Sequence, residues 1–226
     1  MSTPLQIPPL YHHAKANGAR FQDLAGWRLV HDFGDAAAER EAVRGAAGLY
    51  DASASGKLLV EGSAAMTLWP GLGAAPTLAV GAGVAIETGM LYRLRADLCL
   101  LHTPPGGQTQ AAAALAQAIS AQKGLISLTD MTHGWAELRL IGPASRELLS
   151  RLCGLDLSQA TYPNHHAAFT SVAKTRQLLL RQDAGVLPAF SLIGARSLAA
   201  YLWDTILIAG QNLGLRAVGR AAAAGG

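Results

Sequence analysis

The sequence predicts an α+β protein made of two consecutive strand–helix–strand–strand–helix–strand units, and three observations lead there. A strand closed by glycine and followed at once by a helix occurs twice, about 80 residues apart. Each occurrence continues with a pair of strands and a second helix that a glycine ends. Finally, 50% of the 226 residues are hydrophobic and only 15% are charged, against about 25% charged in an average soluble domain. That balance supplies a core and excludes a disordered chain, which needs low hydrophobicity and high charge.

Residues 1–50 are expected to pack on the core of the two units. The first unit, 51–130, opens with the strand 57–62 (KLLVEG) and a short helix over 63–69. Strands 90–94 and 98–102 flank the turn Arg95-Ala96-Asp97, a hairpin signal. A helix over 108–122 follows, with Gly124 at a C-cap position, and 125–128 is the closing strand. The second unit, 131–220, repeats the order. Strand 137–142 (ELRLIG) leads into helix 143–152, where Pro143 suits a first turn whose N–H has no partner anyway. Leu148, Leu149 and Leu152 share one face of that helix. Strands 176–181 and 188–193 come next, then a helix over 197–209 with Leu198, Leu202 and Ile206 on one face and Gly210 at its end. The order is that of ferredoxin-like units, with helices on one face of antiparallel sheets. The period is too long for a solenoid. The small residues 221–226 are expected to be disordered.

Composition narrows the function classes. The net charge of +3 is scattered along the chain, whereas a nucleic-acid surface needs a concentrated basic face. A charge-poor surface instead suggests that a protein partner or a second copy covers part of it. Cys99 and Cys153 stand far apart without metal-ligand spacing, as in a reducing cytoplasm. Residues 1–9 lack the basic and apolar regions of a signal peptide, and no apolar run is long enough to span a membrane. The histidines offer no metal site: His12-His13 and His165-His166 are adjacent pairs that point to different faces, and HExxH is absent. Gly71-Leu-Gly73 and Gly81-Ala-Gly83 lack the third glycine of a dinucleotide loop. No G-x-S-x-G elbow marks a nucleophile. Glu87 stands out in the apolar run 84–94 (VAIETGMLYRL). It is either a carboxylate held for a ligand or a turn residue that faces water, and pattern alone favours the turn.

Three segments carry a resemblance: 10–13 (LYHH), 18–27 (GARFQDLAGW) and 41–51 (EAVRGAAGLYD). In order and spacing they resemble the aminomethyltransferase (T protein) family of the glycine cleavage system. Residues 135–203 are similar to the gamma subunit of heterotetrameric sarcosine oxidase, a relative that does no chemistry itself. The resemblance implies two tetrahydrofolate-binding domains and one-carbon transfer to tetrahydrofolate. It places Glu87 and Thr88 on the family's acidic pair, so that Glu87 keeps a carboxylate, and Tyr92 on a residue expected to stack on or hydrogen-bond the folate. Val186 falls where the family's glutamate grips the pterin, and Ala54 where it has a histidine; Asp183 is then the nearest acid left for the pterin. A valine cannot accept the pterin's N–H bonds, and each buried donor left unpaired costs about 1–3 kcal/mol. The resemblance stops at Arg220, where the family continues into a C-terminal barrel, so a chain without that barrel is expected. Two functions follow. One is an active tetrahydrofolate-dependent aminomethyltransferase or demethylase that uses Glu87. The other is a non-catalytic accessory subunit of one-carbon metabolism, which accounts together for Val186, the expected loss of the barrel and the charge-poor surface.

Overall fold

The computed structural model describes residues 4–73 and 77–223. Helix α1 (Tyr11–Ala16) precedes a hairpin of β1 (Arg20–Leu24) and β2 (Trp27–Asp32). Its two turn residues, Ala25 and Gly26, both have positive φ, the geometry that matches the twist of the flanking strands. Asp35 then caps α2 (Ala36–Gly45) by accepting from the Ala37 and Ala38 amides, two of the donors that a helix start leaves without partners. The chain continues into β3 (Ala47–Asp51) and β4 (Gly56–Glu61). The helix expected over 63–69 is instead a pair of 3₁₀ turns, Ala65–Thr67 and Trp69–Leu72. Pro70 has no N–H to give an α-helix there.

Strands β5 (Gly83–Ile86), β6 (Gly89–Arg95) and β7 (Leu98–Thr103) form a meander, followed by α3 (Gln108–Ser120) and β8 (Ser127–Asp130). The second half runs β9 (Trp135–Ile141), α4 (Ser145–Ser150), β10 (Ala167–Val172), β11 (Thr175–Arg181), β12 (Ala189–Ala195), α5 (Ala199–Gly210), β13 (Leu215–Ala217) and α6 (Arg220–Ala223). The expected disordered tail therefore begins with a helical turn, held because Ala222 is buried beside Val43 and Val218; residues 224–226 lie outside the described part.

One sheet has the order β5-β6-β7-β4-β8 and is antiparallel throughout; the other has the order β10-β11-β12-β9-β3-β13. In the second sheet the edge of β9 is taken by β3, not by a strand after the last helix. Strand β13 lies beyond it, parallel to β3. The N-terminal segment thus adds a strand to the second sheet, besides packing on the core.

Period-two burial stacks the two sheets face to face. Leu91, Cys99 and Leu101 point outward under Ala111 and Leu115 of α3. Leu138, Leu140, Leu179 and Leu192 point outward under α4 and α5. The alternate residues Met90, Tyr92, Leu94, Leu98 and Leu100 meet Leu178, Leu180 and Ile193 between the sheets. The result is four layers, helix–sheet–sheet–helix, an α+β arrangement in which each sheet buries both faces.

The glycines that close β4 and β9 have a shared cause. Gly62 and Gly142 have φ of +146° and +127°, a region essentially reserved for glycine. At Gly142 a Cβ would stand 2.5 Å from the Val43 carbonyl oxygen and 2.6 Å from that of Ala46. At Gly62 it would meet the backbone of Leu125. Only glycine lets the strand end pass so close to a neighbouring backbone.

Candidate functional site

The layer between the sheets is apolar at its centre and polar at one end. Lys57 and His102 are cross-strand neighbours on β4 and β7, and both reach toward Glu137 on β9. All three sit on the inward-pointing phase of their strands, so the stacking of the sheets forces them together. Glu137 and Lys57 are 1% and 0% exposed. The Lys57 ammonium lies 3.3 Å from Glu137 Oε2 and donates to the carbonyls of Ser53 (3.2 Å) and Ser55 (2.7 Å). His102 Nε2 lies 2.8 Å from the same Oε2. The Ser191 hydroxyl donates to Oε1 at 2.7 Å. Both carboxylate oxygens are therefore occupied, as a buried charge requires.

Electrostatics follow from this packing. Burial alone pushes the Glu137 carboxyl up, but the facing charges of His102 and Lys57 and the bonds from His102 and Ser191 outweigh it and hold it well below the usual range. Burial pulls the Lys57 ammonium down against the attraction of Glu137. Asp51 is pushed up by burial, partly offset by its bonds to Ser53.

Above this cluster, with Glu137 at its floor, opens a cleft of about 230 Å³ whose walls include Tyr50, Ala54, His102, Arg139, Gln182 and Arg220. Arg139 stands beside Tyr50 across β3 and β9. Its Nη2 donates to the Gln182 carbonyl at 2.7 Å and Nη1 reaches Ser191 Oγ at 3.4 Å. Arg220 opens α6, whose start is fixed by the Gly219 amide donating to Glu39 Oε2 at 2.8 Å. The Tyr50 phenol is pushed up by burial, so it enters the cleft as a neutral O–H.

The residues singled out from the sequence do not converge on this cleft. Glu87 and Thr88 form the turn between β5 and β6, where Glu87 is exposed; they line a separate cavity of about 430 Å³ against α3. Tyr92 is wholly buried between the sheets, its ring packed on Gly83 and its hydroxyl without a partner. Asp183 accepts from Arg181 Nε at 3.0 Å and from Nη2 at 2.9 Å, and its Oδ1 also takes the Ala189 amide. Val186 is 98% exposed at a loop tip. Of the positions weighed in the sequence, only Ala54 lines the cleft. The signal for its other residues is the alternation of Glu137 and Arg139 with leucines along β9, which by itself reads as a strand with a wet face. Among the described residues no group of three or more His, Cys, Asp or Glu side chains is placed to hold a metal.

Four layers of this order, with a cleft at the polar end of the inter-sheet space, define an α+β domain whose site lies between its two sheets. The GCVT N-terminal domain family model matches residues 10–225, and the chain belongs to that family. An aminomethyltransferase of Saccharopolyspora erythraea is 28% identical over 232 residues, covering 97% of this chain and 62% of the relative. The aminomethyltransferase of Geobacillus kaustophilus is 28% identical over 220 residues, covering 92% and 59%. Sarcosine oxidase subunit alpha of Corynebacterium sp. (strain P-1) is 25% identical over 250 residues, covering 96% of this chain and 25% of that one. The chain thus spans about three fifths of the length of these aminomethyltransferases. Among solved structures, the glycine cleavage system aminomethyltransferase T from Bartonella henselae matches with a TM-score of 0.83 at 22% identity, covering 96% of this chain and 60% of that one. A chain of heterotetrameric sarcosine oxidase from Corynebacterium sp. U-96 matches with a TM-score of 0.68 at 19% identity, covering 92% and 95%. The shared α+β fold is established by these two matches.

Proposed function

We propose that this chain is a folate-domain protein of one-carbon metabolism that acts as a non-catalytic accessory subunit, one chain of a hetero-oligomer of the kind to which its sarcosine oxidase relatives belong. Each sheet with its helices is read as one ferredoxin-like unit, 51–130 and 131–220. In the first, β8-β4-β7-β6 supplies the strand order; in the second, β3 stands in for the fourth strand.

The observation that carries the proposal is the state of the carboxylates. The one carboxylate that lines the cleft, Glu137, has both oxygens engaged by Lys57, His102 and Ser191. Glu87, the one matched to the family's acid, sits in an exposed turn elsewhere. A general acid or base must be within hydrogen-bond reach of the proton it moves; Glu137 has no oxygen to spare for one, and Glu87 lies outside the cleft, on the separate cavity against α3. Tetrahydrofolate, which the family implies, is also a poor fit to this cleft. A pterin edge presents several N–H donors, yet the cleft offers no free carboxylate, and about 230 Å³ falls below the ~300–1,000 Å³ of ordinary ligand pockets. No folate chemistry is assigned to these residues. A partner is supported by exposed apolar side chains, among them Leu125, Tyr201 and Ile208. A reducing, cytoplasmic setting suits the buried free thiols of Cys99 and Cys153.

Calorimetric titration of the purified chain with tetrahydrofolate tests the proposal. The expected outcome is no saturable site tighter than about 1 mM, equivalent to ~4 kcal/mol. A micromolar site that disappears in Glu87→Ala would overturn it in favour of the active aminomethyltransferase.

A further inference from the structure

The cleft carries more positive charge than its walls neutralise, and we infer that it binds a small carboxylate anion through Arg139 and Arg220. The inference rests on the proposed function in one respect: it takes the cleft to be free of folate. Lys57 and Glu137 cancel within the floor. That leaves two guanidinium groups on the walls. Arg139 is bonded only to the neutral Gln182 carbonyl and Ser191 hydroxyl. Among the described residues neither Arg139 nor Arg220 has a carboxylate within ion-pair distance.

Buried or half-buried cations without a counter-ion are rare, because charge taken out of water needs compensation. Both guanidiniums are partly shielded from solvent. The remaining walls are the methyl groups of Ala52, Ala54 and Ala223, with the Pro105 ring, and such apolar surfaces strengthen any charge interaction beside them. Tyr50 adds a neutral O–H at the same wall, since burial holds its phenol protonated. Tyr50, Arg139 and Arg220 thus all present donors, and the Gln182 amide, which both donates and accepts, shares the wall with them. Planar N–H forks match the planar, bidentate geometry of a carboxylate. The volume suits an anion of a few heavy atoms rather than a drug-sized ligand. Malonate, a compact dicarboxylate, is the probe this geometry favours.

The test is calorimetric titration of the full chain with malonate at low ionic strength. The expected result is a saturable site, weakened about tenfold or more in Arg220→Met and in Arg139→Met, since hydrogen bonds to charged groups are the stronger ones. Arg216→Met, an exposed arginine on β13 outside the cleft, leaves binding unchanged. Malonate also raises the melting temperature of wild type but not of Arg220→Met, as ligand linkage requires. Should Arg139→Met fail to fold, Arg220→Met decides alone, because its side chain is on the last helical turn. No saturable heat up to about 20 mM overturns the inference, as does full binding in a folded Arg220→Met. Phosphate or chloride binding as well as malonate overturns it too, by reducing the site to a general cationic patch. Displacement of malonate by micromolar tetrahydrofolate leaves the anion site standing and overturns the proposed function instead.

Discussion

Replacing Glu137 by Gln removes the counter-charge of an ammonium group with no access to water. Lys57 keeps two carbonyl acceptors, from Ser53 and Ser55, but loses the carboxylate 3.3 Å away. Breaking a buried ion pair from one side costs about 3–5 kcal/mol, most of it the stranded charge. Burial already pulls Lys57 downward, so part of the cost is relieved by its deprotonation, and about 3 kcal/mol is the expected loss. For a chain of 226 residues that corresponds to a melting temperature lower by roughly 6–12 °C. The assay is urea unfolding with calorimetry on Glu137→Gln, Lys57→Met and the double variant Lys57→Met/Glu137→Leu. The double variant strands neither the ammonium nor the carboxylate, leaving only His102 and Ser191 short of an acceptor, and should be less destabilised than the sum of the single variants by about 2 kcal/mol or more. A Glu137→Gln protein within about 1 kcal/mol of wild type, or a double variant as unstable as the sum of the singles, would refute the reasoning.

Other outcomes follow from the same structure. Because the Glu137 carboxyl is held below its ordinary value, the stability it contributes is fully present above about pH 4.3 and is lost as pH falls through the folded value. Wild type should therefore lose stability on acidification more steeply than Glu137→Gln, and parallel acid titrations followed by circular dichroism check this. Gly142→Ala should destabilise by more than about 2 kcal/mol, since the obstructing atoms are backbone carbonyls; an unchanged urea midpoint would contradict that. Glu87→Ala, in an exposed turn, should shift stability by no more than about 0.5 kcal/mol. Val186→Glu places a carboxylate on a loop tip that is 98% exposed, and should create no tetrahydrofolate binding measurable by calorimetry.

Much of the fold was legible because its cues are local. Gly62 and Gly142 mark the same event twice, a strand end pressed against a neighbouring backbone, and the sequence displays both. Strands β6 and β7 fall where alternation around Arg95-Ala96-Asp97 puts them. What local pattern could not supply was which surface covers which. Strand β3 reads as part of an N-terminal segment, yet it pairs with β9, some ninety residues later. The same gap explains the site. Lys57, Glu137 and Arg139 lie on strand faces that would be wet in a single sheet. They become a buried cluster and a cleft wall only because a second sheet closes over them. Glu87, conspicuous among apolar neighbours, was drawn forward by a resemblance, and its turn position is what the pattern alone favoured.

Incubating the isolated chain with tetrahydrofolate and an S-aminomethyl thiol donor, whose carbon is already at the formaldehyde level, and following methylenetetrahydrofolate together with the ammonia and thiol released, tests the central claim most directly. A chain whose cleft carboxylate, the only one there among the described residues, is locked to Lys57, His102 and Ser191 should form product no faster than the uncatalysed mixture. Turnover by this polypeptide alone, abolished in Glu87→Ala, would contradict the account.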